Sequence, residues 1–204
     1  KSTFVSMVSH ELRTPLTSVM GFIDLAMDGA GDPVGEKTVK LLGTARSNAE
    51  WLQRLVDDIL DISRMESDAL GLEMDSVNVV ELAQDLADGV NALFVERDIK
   101  LMVDVDEEVP MIWADRGRMG QIIINLLTNA LRYTPPGGEV RVQITHDSGA
   151  VAIAFIDTGV GIAPEHTTRV FEKFFRIDSK RSRPAGSTGL GLAITKSLVE
   201  QMSG

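Results

Sequence analysis

The 204-residue chain contains no cysteine, which excludes a disulfide framework and any thiolate metal site. The absence fits a reducing compartment. Histidine is scarce too: His10, His146 and His166 stand far apart and argue against zinc. No apolar run approaches the length that a bilayer demands, and Lys1 opens the chain without a charged and then apolar leader. The expectation is a cytoplasmic fragment of a longer protein, with no membrane contact of its own and any anchor upstream of Lys1. Basic residues are also in deficit, 20 Lys and Arg against 30 Asp and Glu, for a formal net charge of −10. That balance disfavours nucleic acid as the main partner, because phosphate neutralisation needs clustered cations.

What is present is ordinary globular composition, 44% apolar and 25% charged, arranged in two halves of different grammar. Residues 2 to 27 read as an amphipathic helix with Pro15 inside it, where a missing backbone N–H bends the axis. Val5, Val8, Leu12, Leu16, Val19 and Ile23 recur at spacings of three and four and form one apolar arc. His10 lies roughly 150° from the middle of that arc. An exposed imidazole beside the Glu11 carboxylate is a candidate nucleophile, since its neutral form has a free ring nitrogen near neutral pH. Turn-forming residues then fill positions 28–35. A second helix over 36–66 carries Val39, Leu42, Ala45, Ala49, Leu52, Val56, Ile59 and Ser63 at near-heptad spacing. A hairpin cannot bury such a seam alone, so the pattern predicts a homodimer with a four-helix bundle.

Past residue 67 the chain alternates strands and helices. The patterns predict strands over 70–77 and 99–105, helices over 79–95 and 116–132, and a hairpin of 139–145 with 151–156. A last helix is expected to start near Gly189 or Leu190 and run toward Met202. The fold class is therefore α+β: a helical hairpin at 1–67, then a layered α/β domain at 68–204.

Three segments of the second half suit a nucleotide. Asp157-Thr158-Gly159-Val160-Gly161 follows an apolar strand; its glycines permit close backbone approach, and Asp157 can accept from an exocyclic amine. Gly186-Ser187-Thr188-Gly189-Leu190-Gly191-Leu192 leads into a helix, whose first N–H groups suit phosphate. Asn125, Asn129 and Arg132 share one helix face. An amide oxygen can complete a Mg²⁺ shell, Arg132 can meet phosphate, and Tyr133 can line a base pocket. Each segment alone has a plain structural alternative: a glycine turn, a helix cap or a buried polar contact.

Together and in this order, these segments resemble the sensor histidine kinases of two-component signalling, over essentially the whole chain. Ser9-His10-Glu11-Leu12-Arg13-Thr14-Pro15-Leu16 matches the family's H box and residues 125–133 its N box. Asp157 to Gly161 match the G1 box, Phe171-Glu172-Lys173-Phe174-Phe175-Arg176 the F box, and Gly186 to Leu192 the G2 box. The resemblance implies a dimerisation and phosphotransfer hairpin followed by a Bergerat-type ATP-binding sandwich whose sheet is mixed, with ATP and Mg²⁺ as cofactors. It implies that Asp157 reads the adenine amine, with Gly159 and Gly161 beside it and Tyr133 packed near the base. Asn129 would ligate Mg²⁺, while Asn125, Arg132 and Arg176 neighbour the phosphates. Residues 177–188, ahead of Gly189, Leu190 and Gly191, would cover the nucleotide, with Gly186 and Thr188 in that segment. The family's sheet is usually completed by strands beyond the equivalent of Gly204, so an open edge is expected here.

The implied chemistry is autophosphorylation of His10, with Glu11 handling the proton on the other ring nitrogen. Transfer to an aspartate of a response-regulator receiver domain would follow. Glu11 and Thr14 also match the family's acid-x-x-Thr pattern, which implies phosphatase activity on that regulator. Two rival readings remain: a Bergerat (GHKL) ATPase, and a non-catalytic dimerising scaffold. The ATPases carry a glutamate four residues before the metal-binding asparagine. Asn125 stands there instead, and it cannot accept a proton at neutral pH.

Overall fold

The computed structural model describes residues 2–27, 36–66, 71–177 and 188–204; the side chains of residues 2–11, 13, 27, 36 and 66 also fall outside the description. Contacts divide the chain into two compact units, Lys1–Asp68 with Ala185–Thr188, and Ala69–Pro184 with Gly189–Gly204.

In the first unit, α1 (Ser2–Met27) and α2 (Glu36–Glu66) pack against each other. Pro15 lies inside α1 and is fully buried, so its ring contributes packing where it removes a backbone bond. The single seam expected on α2 divides in two. Thr38, Ala45, Leu55 and Ile62 are buried, with Leu41, Asn48, Leu52 and Ile59 half-buried between them in a heptad row. Val39, Leu42, Ala49, Val56 and Leu60, one position further round, are exposed. The stripe on α1 divides likewise: Leu12 and Val19 are half-buried, whereas Leu16, Met20, Ile23 and Leu25 are exposed. The reason is geometric. One neighbouring helix covers a narrow strip, and an apolar arc of ~100° is wider than that strip.

The second unit begins with β1 (Met74–Val77), which pairs antiparallel with β3 (Ile112–Asp115). A separate mixed sheet has the order β2-β4-β5: β2 (Lys100–Val105) runs parallel to β4 (Glu139–Asp147), and β5 (Ala150–Asp157) returns antiparallel. The β4–β5 turn uses Ser148 at φ 51° and Gly149 at φ 86°, the left-handed pair that a tight hairpin favours. Strand β4 is central. Its alternate residues Val140, Val142 and Ile144 are fully buried and join Leu82 and Phe94 of α3 (Val79–Glu96) with Ile123 and Leu127 of α4 (Arg116–Tyr133) in one core. The last helix, α5 (Gly191–Gln201), packs on α4. Strand β3 was not expected, the expected strand at 70–77 shortens to β1, and α5 starts after Gly189 and Leu190. Among the described residues, no helix is long and apolar enough to cross a membrane.

Asp115 fixes where α4 starts. One carboxylate oxygen accepts from Arg118 N–H at 2.9 Å and the other from Glu73 N–H at 2.9 Å, which ties the β1 approach to the helix. Burial alone pushes this carboxyl up, but the N–H groups of Arg118, Glu73 and Gly117 and the Arg118 guanidinium outweigh it and hold it below 3.8. The charged form therefore stabilises the fold fully above the unfolded value. That contribution is lost as pH falls through the lower folded value. In urea unfolding near pH 7, Asp115→Ala is expected to cost about 1–2 kcal/mol. The gap to the unaltered protein should narrow in acid; a gap that stays constant to pH 2 contradicts the charge-based part of this account.

Candidate functional site

Helix α4 carries Asn125, Asn129, Arg132 and Tyr133 on its C-terminal half. The three polar side chains are half-buried and Tyr133 is exposed. The amide nitrogen Nδ2 of Asn125 is buried without a hydrogen-bond partner. A Cβ built on Gly191, the first residue of α5, would lie 3.8–3.9 Å from the Asn125 amide, so α5 begins against that orphaned group. No side chain caps the first turn of α5. Uncapped N–H groups, with the amide donor of Asn125 next to them, form a cradle suited to an anion.

Asp157 closes β5 and is exposed. Its Oδ1 accepts from Gly159 N–H at 2.8 Å, and the chain then folds back so that Val160 N–H donates to the Tyr133 carbonyl at 3.3 Å. Gly159 has no room for a side chain: a Cβ there would come within 2.5 Å of Asp157 Oδ1 and 2.8 Å of the Tyr133 carbonyl oxygen. The two segments that the sequence placed 24 residues apart, Tyr133 and Asp157, thus meet through backbone. Gly161 follows at φ 68°.

A third junction was not foreseen. Phe174 N–H donates to the Gly189 carbonyl at 2.9 Å, and Phe174 takes φ 63°, a left-handed conformation that a bulky residue rarely adopts. Gly189 faces it at φ 71°, with an added Cβ only 3.1 Å from Phe174 backbone. Beside this junction, the Arg169 guanidinium sits 4.3 Å from the Phe175 ring centroid and His166 tilts against the same ring at 5.6 Å. Neither the Asn125–Gly191 approach nor the Phe174–Gly189 bond has a periodic signal in the sequence; only the glycines marked them.

The other expected site residues are placed as follows. Leu190 is fully buried and its carbonyl accepts from Ile194 N–H at 2.9 Å. Arg176 is exposed. Thr188 groups with the first unit, where its hydroxyl donates to Asp58 of α2 at 2.8 Å. Burial, aided by Asp61 and Asp57, pushes the Asp58 carboxyl up despite that bond and Arg54. Gly186 lies outside the described residues. His10 and Glu11 lie within α1, with side chains outside the description, and Thr14 on the same helix is exposed.

Comparison with known proteins gives two family matches. Residues 1–68 match the His Kinase A (phospho-acceptor) domain, and residues 114–204 match the histidine kinase-, DNA gyrase B-, and HSP90-like ATPase family. The circadian input-output histidine kinase CikA of Synechococcus elongatus is 34% identical over 206 residues, covering 100% of this chain and 27% of that protein. Across the first curated relatives the chain spans 25–35% of their length. Among solved structures, full-length ShkA in complex with AMPPNP is 29% identical with a TM-score of 0.70, covering 98% of this chain and 41% of that one. Histidine kinase ThkA in complex with the response regulator protein TrrA is 25% identical with a TM-score of 0.74, covering 99% of this chain and 55% of that one.

Proposed function

We propose a mechanism from one premise: the chain belongs to the sensor histidine kinases of two-component signalling, and it is the catalytic core of one. In this reading the chain binds ATP in the second unit, accepts its γ-phosphoryl group on His10, and passes that group to an aspartate of a response-regulator receiver domain. The observation that carries it is the buried, partnerless Nδ2 of Asn125 against Gly191 at the uncapped start of α5. That donor set fits a polyphosphate. The AMPPNP held by ShkA and the regulator bound by ThkA support nucleotide and partner of these kinds.

Asp157 accepts from the adenine amine, held in place by its bond to Gly159 N–H at 2.8 Å. Tyr133 packs near the base, and Gly161 lets the backbone pass close to it. Asn125, Arg132, Arg176 and the N–H groups of Gly189, Leu190 and Gly191 face phosphate oxygens, with Gly186 and Thr188 in the covering segment. Asn129 would ligate Mg²⁺, which supplies positive charge to the phosphates when bound. His10 offers a neutral ring nitrogen to the phosphorus atom as the bond to the β-phosphate oxygen breaks. Glu11 holds the proton on the other ring nitrogen.

The exposed apolar rows on α1 and α2 support a homodimer, in which a second hairpin completes a four-helix bundle over Leu16, Met20, Val39, Leu42 and Val56. Incubation with γ-labelled ATP and Mg²⁺ tests the whole reading. The expected label is acid-labile and base-stable, as a phosphoramidate is. Steady ATP hydrolysis with no protein label would favour the ATPase alternative instead.

The finer proposal concerns Thr14. Exposed on α1 one turn past His10, it positions water for dephosphorylation of the regulator, with Glu11 as its acidic partner. Thr14→Ala is expected to slow loss of phosphate from the phosphorylated regulator by about tenfold or more while autophosphorylation persists. Unchanged dephosphorylation would refute the role.

A further inference from the structure

Strand β2 lies at an edge of the mixed sheet, paired only with β4 among the described residues. Lys100 N–H donates to the Gly138 carbonyl and Asp106 N–H to the Ile144 carbonyl, so the even-numbered residues of β2 turn their backbone groups toward β4. By the alternation of a ladder, Leu101, Val103 and Val105 turn theirs to the open side. Six residues pair in unbroken register, and neither proline nor a bulge blunts the edge. Alongside it, a groove of about 440 Å³ separates β2 from α3. Its floor is apolar, formed by Ala87, Leu101 and Val103, while Gln84, Asp85, Asp88 and Asn91 line the α3 side. Those four are exposed, and they bring two carboxylates, two amides and no cation.

We propose that this edge is a docking site for an extended, basic segment of a partner protein, which adds to β2 as a further strand. Main-chain bonding to Leu101, Val103 and Val105 would supply register. Every second side chain of the added strand falls on the α3 side, over the groove, where arginine or lysine meets Asp85 and Asp88 and its methylene stem covers the apolar floor. The complementarity is specific in sign, because an acidic strand would set like charges side by side. The surface is made within the second unit and uses none of the residues assigned to nucleotide binding.

The probe is a fluorescein-labelled eight-residue peptide alternating arginine and valine, titrated onto the whole chain and followed by anisotropy and by amide hydrogen exchange. Expected are saturable binding that weakens with salt and slowed exchange at Leu101, Val103 and Val105. The pair Asp85→Asn with Asp88→Asn should weaken binding about three- to tenfold while ATP binding is unchanged. Val103→Pro removes an outward N–H without touching the β4 ladder and should abolish binding. Should that variant fail to fold, the charge pair and the exchange pattern still decide. The proposal is overturned by equal binding of a peptide alternating glutamate and valine, or by protection on the outer edge of β5 instead. Concentration-dependent self-association that shields the same three amides would also overturn it, assigning the edge to a second copy.

Discussion

His10→Ala is expected to reduce phosphoryl label from γ-labelled ATP to background, a fall of more than about a hundredfold, because the first unit has no second histidine in its sequence to act as an equivalent nitrogen nucleophile. The next histidines in the chain are His146 on β4 and His166 in the short helical turn at Pro164–His166, both in the other compact unit. Affinity for ATP should not change, since His10 belongs to the first unit, whereas the proposed nucleotide residues other than Gly186 and Thr188 belong to the second. The pairing of lost label with retained binding is the informative result. Label that survives in His10→Ala would place the acceptor elsewhere, and loss of ATP binding would mean that the substitution had disturbed the fold.

The second large effect is expected at Gly159. An alanine Cβ there meets two groups of different compliance. The Asp157 carboxylate, 2.5 Å away, can swing aside, whereas the Tyr133 carbonyl at 2.8 Å is backbone and is held by Val160 N–H. Either adjustment damages the proposed adenine site: the first turns Asp157 away, and the second pushes apart the loop and the end of α4. Gly159→Ala should lower ATP affinity at least about tenfold and cost the second unit about 1–3 kcal/mol in urea unfolding. Asp157→Asn separates chemistry from shape. It keeps the volume but replaces an acceptor-only group with a mixed amide, so ATP affinity should fall at least about tenfold with stability nearly unchanged. If nucleotide titration gave the same affinity for Asp157→Asn as for the unaltered chain, the adenine assignment would fail.

The longer elements were legible in the sequence because their apolar residues keep one period over many turns. Helix α3, helix α4, strand β2 and the β4–β5 hairpin fall where the pattern puts them, within a residue or two. Strand β3 escaped notice because Ile112, Trp113, Ala114 and Asp115 are too few to show alternation, and what makes them a strand is β1, some forty residues earlier. Helix α5 starts late because Gly189 is left-handed and Leu190 serves as its cap. The two apolar rows of α2 merged into one because Thr38 and Asn48, which lie in the interior row, look polar, while Val39 and Leu42, which do not, look buried. At the site, residue type and order were enough to nominate the candidate residues, whose roles are proposals. The junctions that assemble it, Tyr133 with Val160 and Phe174 with Gly189, are backbone bonds and leave no mark on side-chain pattern.

The parallel register of β2 and β4 sets an order of events during synthesis. Lys100 meets Glu139 only after thirty-nine further residues have emerged, so the central sheet of the second unit waits for α4 and most of β4. The hairpin of α1 and α2 needs only neighbouring residues and, once both helices are outside the ribosome, closes orders of magnitude faster. Its exposed row of Leu16, Met20, Val39, Leu42 and Val56 is therefore available before the nucleotide-binding unit exists. In the proposed homodimer, two chains growing on one messenger can pair through α1 and α2 while both still lack the second unit, so subunit choice precedes enzymatic competence.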